Sequence, residues 1–426
     1  MKRVLTCAGG LLLSFVCVSA VYAGAIDNKT NWSAEYIRTL NRNAATDYAD
    51  IAAYNPAGTV KLQDGFIING SAQYLGKDYT NNVSDPFGTN SFNSDESSVV
   101  PGIFGVYNRE KWSLFGAVTV VGGGGKVDFS QGSWTTRGAQ LILIGMSGGA
   151  LVAPGPAKLT AESVYLGYTL GGAYEINDMF SVSVGLRYVD AHREAEGSGI
   201  VYTAAPGNPP APPVLIAYEE DGNGWGGIFG LNVDLDKVNI GMRFETKTNL
   251  DLEATVKQDN YDLLPALKGV NNGQERARDL PALFGIGVSY WVSPQLRLET
   301  NYTQYFNTNG DWNGTEDAVN DGYDVGIALE YHFNDSFLAS IGYLRTETGI
   351  NPEDMLSENP ELDANTIGGG IAYAFNEKFH TNFSLGYVFY EDDSFVQPLD
   401  PSGSPQASVG YEKKIYFLAL GLEYRF

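Results

Sequence analysis

The stretch GYDVGIALEYHF, residues 322–333, decides how the rest of the chain is read. Tyr323, Val325, Ile327, Leu329, Tyr331 and Phe333 fall on one side of an extended chain. Gly322, Asp324, Gly326, Ala328, Glu330 and His332 fall on the other, and a period of two is that of a β-strand. KFHTNFSLGYVFY (378–390) and IYFLALGLEYRF (415–426) repeat the pattern. A soluble sandwich would also alternate, with its apolar faces packed together. Here one face is large, apolar and aromatic-ended, while the other is small or charged. That asymmetry suits a wall whose greasy side meets lipid and whose other side faces a crowded polar lumen.

The strand ends carry a second signal. EYHFND, AYAFNE and the terminal EYRF each place two aromatics at i and i+2 beside a tight turn. Aromatic side chains prefer the headgroup layer, so the recurrence marks one membrane interface. Short turns at 109–110, 177–178, 234–237, 293–294, 334–335 and 376–377 alternate with longer connections, as in outer-membrane barrels. The expectation is an all-β, transmembrane, antiparallel β-barrel of about fourteen strands over residues 62–426. A barrel that wide encloses space, which is either a water channel or plugged.

Composition narrows the class. The opening MKRVLTCAGGLLLSFVCVSAVYA reads as a secretory signal peptide over residues 1–23, with Lys2 and Arg3 ahead of an apolar core and a small-x-small site at Val21-Tyr22-Ala23. Cleavage would remove both cysteines, Cys7 and Cys17, leaving neither a disulfide framework nor thiolate metal sites. With 50 acidic against 27 basic residues and a formal charge of −23, nucleic acid is not an expected partner. Beyond the signal peptide no apolar run approaches a membrane helix, so a membrane-spanning fold must be a closed barrel.

The plug is sought in residues 24–61, which precede the first strand. Asn41-Arg42-Asn43 and the small residues of 44–53 can pack compactly, with Pro56 and Gly58 turning the chain toward the wall. This signal peptide, a forty-residue hatch, Asn55-Pro56-Ala57, about fourteen strands and a terminal Phe426 together resemble the FadL/TodX family of outer-membrane transporters for long-chain fatty acids and aromatic hydrocarbons. The resemblance implies a monomeric barrel in the outer membrane of a Gram-negative bacterium, with an N-terminal hatch in its lumen. It further implies hydrophobic ligands captured among the outer loops, received by an inner pocket near the hatch and released sideways into the bilayer, and no cofactor. Outer-membrane lipid and lipopolysaccharide would surround it.

Three apolar segments are candidates for the capture groove: Leu141, Ile142, Leu143, Ile144 and Met146; Val214, Leu215 and Ile216; and Leu263, Leu264 and Leu267. Contiguous apolar patches in water-exposed connections usually mark binding, or else the loops close on one another as a cap. Gly122, Gly123 and Gly124 weaken the third strand and mark either a wall opening or a flexible loop root. No metal spacing occurs, and His192, His332 and His380 lie on separate strands. A diffusion porin, with Arg187, Arg297, Glu299 and Glu330 lining its lumen, and a structural or adhesive surface barrel with acidic loops are the alternatives to transport of hydrophobic molecules.

Overall fold

Residues 322–333 do form a strand, and its two faces meet different surroundings. Ile327 and Leu329 are 50% and 46% exposed on the outer surface, whereas Ala328 and Glu330 are 2% and 1% exposed inside. The structure, a computed structural model, describes residues 31–263, 270–399 and 405–426. The signal-peptide reading and the start of the expected hatch lie outside the described residues.

The wall consists of β1 (Gly65–Asp85), β2 (Ser97–Arg109), β3 (Trp112–Phe129), β4 (Leu151–Glu175), β5 (Phe180–Thr203), β6 (Val214–Leu235) and β7 (Val238–Glu245). It continues through β8 (Ala282–Trp291), β9 (Leu296–Phe306), β10 (Gly322–Asn334), β11 (Phe337–Glu347), β12 (Ala364–Ala374), β13 (Phe379–Tyr390) and β14 (Gln406–Arg425). Each strand pairs antiparallel with the next. β14 then closes on β1, from Ile67↔Arg425 to Ser84↔Ser408. Closure leaves no sheet edge in hydrocarbon, where an unpaired N–H or C=O would have no water to bond. Gly88–Ser94, Asp251–Asp259, Glu275–Ala277 and Asp393–Pro398 extend the sheet on the side away from the short turns.

Those turns are built by asparagine. The Asn177, Asn334 and Asn376 side chains accept from the backbone N–H two residues on, at 3.0, 2.9 and 2.9 Å, the local bond that makes Asn a turn residue. The aromatic pairs meet beside them. Tyr331–Phe333 and Tyr373–Phe375 lie 4.9 Å apart and Tyr424–Phe426 4.8 Å, forming one girdle at the turn end of the barrel. After β7 the chain leaves the sheet at Glu245 and resumes pairing at Asp251.

Residues 31–62 fill the lumen. They comprise α1 (Ala34–Thr39), capped by Ser33, the single turn α2 (Ile51–Tyr54) and a 3₁₀ turn (Pro56–Lys61) that starts on proline. Ion pairs tie them to the wall. Arg38 pairs with Glu330 of β10, and Arg297 of β9 reaches both Glu330 and Asp47 at 2.9 Å. Arg42 holds Asp50 through a 3.0 Å hydrogen bond. Arg187, Arg297, Glu299 and Glu330, which a porin would turn toward water, are all buried; Arg187 pairs with Glu245 at 2.5 Å.

Asn55-Pro56-Ala57 is the joint between lumen and wall. The Asn55 amide donates to the Ala45 carbonyl at 3.0 Å and to the Asn232 side chain at 2.7 Å, while the Ala57 carbonyl accepts from Ser181 at 2.7 Å. Wall glycines let the lumen chain approach closely. A Cβ on Gly342 would strike the Thr39 carbonyl, and one on Gly368 the Ile37 carbonyl. Gly342→Val is therefore expected to weaken seating of residues 31–62 by about 1–3 kcal/mol. Faster proteolysis within that segment and a larger steady current across planar bilayers would report it. Gly70→Val, whose Cβ meets open space, should change neither.

Candidate functional site

The segment 134–146 is helical despite Gly138 and Gly145, because it holds no proline and its start is capped. Ser133 and Thr136 form a reciprocal capping box, and α3 runs from Trp134 to Met146. The helix lies against β4 and β5 outside the lipid-facing zone. Its period sorts the apolar run: Ala139, Ile142, Leu143 and Met146 face a cavity of about 300 Å³, while Leu141 and Ile144 do not. Leu141 packs instead against the buried core.

The second segment corrects the expectation of a loop. Val214, Leu215 and Ile216 are the first residues of β6, entered directly after Pro212-Pro213. Strand alternation sends Val214 and Ile216 into the same cavity and Leu215 away from it. Leu263 of the third segment lines the cavity too. Leu264 and Leu267 lie outside the described residues. Three stretches that are distant in sequence thus supply one apolar chamber. Strands β3, β4 and β5 add Val127, Leu159, Ala161 and Val201, and the connection between β11 and β12 adds Leu356, Glu358, Asn359 and Glu361.

The chamber has a charged end. Glu220 receives Arg193 on one carboxylate oxygen and Arg276 on the other, each at 3.0 Å. Arg278, fully buried beside them, donates to the Ala277 carbonyl at 3.2 Å, and its Nε and Nη2 meet no acceptor. Burial and the adjacent guanidinium groups of Arg193 and Arg276 push Arg278 down to about 10. Three guanidinium groups around one carboxylate leave local positive charge. Other acids also line the chamber: Glu162 and Glu194 pair across β4 and β5 one register step from Arg193, Glu358 is held by hydroxyls, and Glu361 lies on the connection between β11 and β12.

A second feature adjoins the chamber. The β2–β3 ladder runs from Arg109↔Trp112 to Gly102↔Thr119 and stops there, next to Pro101, which has no N–H to continue it. On the other side of β3 the register slips at Val120/Gly122 and again at Gly122/Gly125. Gly123 and Gly125 take φ of +90° and +66°, conformations that side chains disfavour. A cavity of about 160 Å³ occupies the break. Gly123 and Gly124 line it, whereas Gly122 is paired with Tyr165. Gly124, Gly125 and Ser163 border both cavities.

Sequence reasoning found the glycines but passed over Pro101, whose place inside a strand was the available signal. Arg193, Arg276 and the 356–361 connection carried no motif. The histidines make separate contacts, His192 with Asp221 at 2.7 Å and His332 with Glu330 at 2.9 Å.

A closed barrel filled by its own residues 31–62, with an apolar chamber outside that filling and a broken ladder beside it, defines a plugged membrane β-barrel. Residues 160–426 match the family of outer membrane transport proteins described as OMPP1/FadL/TodX, and the chain belongs to that family. The long-chain fatty acid transport protein of Salmonella typhi is 22% identical over 262 residues, 54% of this chain and 60% of its own length. A FadL homologue from Pseudomonas aeruginosa shares the fold at a TM-score of 0.70 and 15% identity, over 96% of this chain and 100% of that one. The Pseudomonas putida toluene transporter TodX does so at 0.62 and 13%, over 91% and 97%.

Glu358 links the chamber's helix to its outer wall. It accepts from Ser133 at 2.5 Å, Ser357 at 3.1 Å and Thr135 at 3.2 Å. Burial raises its carboxyl above the ordinary 4.5, against the opposing pull of those hydroxyls. A raised folded-state value makes its stabilising contribution full below about 4.5 and lost as pH rises through the raised value. Amide exchange over residues 133–137 should therefore quicken with rising pH across that window, beyond the intrinsic chemical rate. Glu358→Gln should remove the excess dependence.

Proposed function

We propose that this protein carries long-chain fatty acids, or amphiphiles of the same chemistry, from the outer surface into the membrane. The observation that carries the reading is the chamber: it is largely apolar, with residues of α3, β6 and Leu263 on its lining, and Arg193 and Arg276 stand on the same wall. An alkyl chain gains about 0.8 kcal/mol for each methylene taken from water, so a modest chamber can hold a long tail. The guanidinium end selects an anion, because a carboxylate there gains charge-assisted hydrogen bonds that a bare hydrocarbon cannot form. The Salmonella typhi relative, named for long-chain fatty acid transport, favours the same class.

The route is physical, with no bond made or broken. The tail enters the chamber from outside, past the polar lipopolysaccharide that blocks direct passage to the bilayer. It moves along the border shared at Gly124, Gly125 and Ser163 into the smaller cavity. It leaves sideways where the β2–β3 ladder ends, entering hydrocarbon without crossing water. Residues 31–62 keep the lumen shut throughout, so a polar solute gains no path.

Purified protein titrated with palmitate and with hexadecane tests the assignment. Palmitate should bind, and Arg276→Gln should weaken it roughly tenfold, the size of one lost charge-assisted hydrogen bond, while hexadecane binding stays as in the wild type. Tighter binding of hexadecane than of palmitate, unaffected by Arg276→Gln, would instead assign a hydrocarbon ligand.

A further inference from the structure

We propose that a polar cavity on the far side of α3 binds an uncharged sugar ring, held by Asn90, Ser91, Gln131, Arg137 and Gln140. The inference stands apart from the transport reading. Two faces of α3 meet different cavities. Ile142, Leu143 and Met146 line the apolar chamber, whereas Arg137 lines a separate space of about 390 Å³; Thr136 and Gln140 border both. The outer strand Gly88–Ser94, Gln131, and β4 at Gly155 and Ala157 supply the other walls. That volume lies within the range of small-molecule sites, about 300–1,000 Å³.

The height of the cavity above the bilayer suits a sugar. Outward-facing tyrosine pairs mark the outer membrane interface, Tyr74–Tyr416 and Tyr168–Tyr188, with ring centroids 6.1 and 6.3 Å apart. Beyond Tyr74 the outward residues of β1 turn polar, through Asp78, Thr80 and Asn82. The strand runs on to Asp85, eleven residues past Tyr74. At about 3.3 Å per residue and a tilt of about 45°, that is roughly 25 Å above the interface. The saccharide of lipopolysaccharide, rather than its lipid, occupies that level.

The lining carries no unmatched charge. Arg137, 8% exposed, donates to both carboxylate oxygens of Asp85, from Nε at 2.6 Å and from Nη2 at 3.2 Å. Its Nη1 has no acceptor among the described residues. Gln140, 4% exposed, directs Nε2 to the Gly155 and Ile200 carbonyls at 2.9 and 2.8 Å, and its Oε1 receives no donor. The side chains of Asn90, Ser91 and Gln131 make no hydrogen bond among the described residues either. An anion would need an unmatched cation here, and a divalent metal would need carboxylates on the lining. An alkyl chain would leave these groups unpaired. Sugar hydroxyls donate and accept at once, so one ring can satisfy amides, hydroxyl and guanidinium together. Phe92 and Ala157 add apolar surface for the ring's C–H face.

Saturation-transfer NMR and calorimetry on the purified full chain, in a detergent without sugar, test the site. The probes are methyl glucoside, dephosphorylated lipopolysaccharide core oligosaccharide and inorganic phosphate. At least one sugar should bind and phosphate should not displace it. Core oligosaccharide bound tenfold or more tightly than methyl glucoside assigns the site to lipopolysaccharide; equal affinities assign it to a free sugar. The double substitution Asn90→Ala, Ser91→Ala removes side chains that bond nothing in the protein, and should weaken sugar binding roughly tenfold. Ser91→Trp, which fills the cavity, should abolish it, and both variants should unfold at the wild-type temperature. Failure of either sugar to bind the wild type overturns the site and leaves the cavity to water. Sugar binding that both variants leave unchanged overturns it as well, and displacement by phosphate overturns the uncharged ligand.

Discussion

In hydrocarbon a backbone N–H or C=O has no water to bond, and every part of this molecule answers to that constraint. It obliges the sheet to close, β14 returning to β1 over a long register from Ile67 to Ser84. Closing so many strands leaves a lumen too wide for side chains alone to fill. The chain resolves this by folding residues 31–62 into the space it encloses. The same constraint makes the break between β2 and β3 informative, because an unpaired ladder beside lipid persists only where surrounding protein shields it. Here Lys77 bonds two of the exposed carbonyls, and the cavity behind them is walled by Val99, Pro101 and Val120.

The lumen shows how charge can be buried without becoming a pore. Arg38, Arg42 and Arg297 each find carboxylates within the lumen chain or on the facing strands. Removing one partner from such a network leaves an uncompensated buried charge, a larger penalty than the pair is worth intact. The network therefore fixes position more than it adds stability. Glycines complete the fit on β11 and β12, where the lumen backbone approaches too closely for any Cβ. Polar side chains that in isolation suggested a water-filled channel belong instead to the seal.

Much of the wall was legible because its physics is local. Alternation along residues 322–333 needs only the strand's own period, and the aromatic pair at each turn needs only the membrane interface. Asn55-Pro56-Ala57 was likewise readable as a joint, since proline opens the 3₁₀ turn and the asparagine amide caps contacts on both sides of it. The apolar run 141–146 was visible as a binding candidate, but not the choice among its members. Helical rotation turned Ile142, Leu143 and Met146 inward and left Leu141 and Ile144 out. Leu215 was lost to the same geometry in its strand form, because Val214 to Ile216 open β6 rather than lie in a loop.

By itself the sequence determined the fold class, the lipid and lumen faces, the turn chemistry and the apolar character of the outer segments, because each follows from neighbours a few residues apart. Tertiary structure alone decided that those segments share one chamber, that Arg193, Glu220, Arg276 and Arg278 gather at its end, and that Lys77 of the first strand grips the glycines of the third. These are contacts between residues tens to hundreds of positions apart, set by register around a closed sheet. No local pattern encodes them, because the barrel must close before they exist.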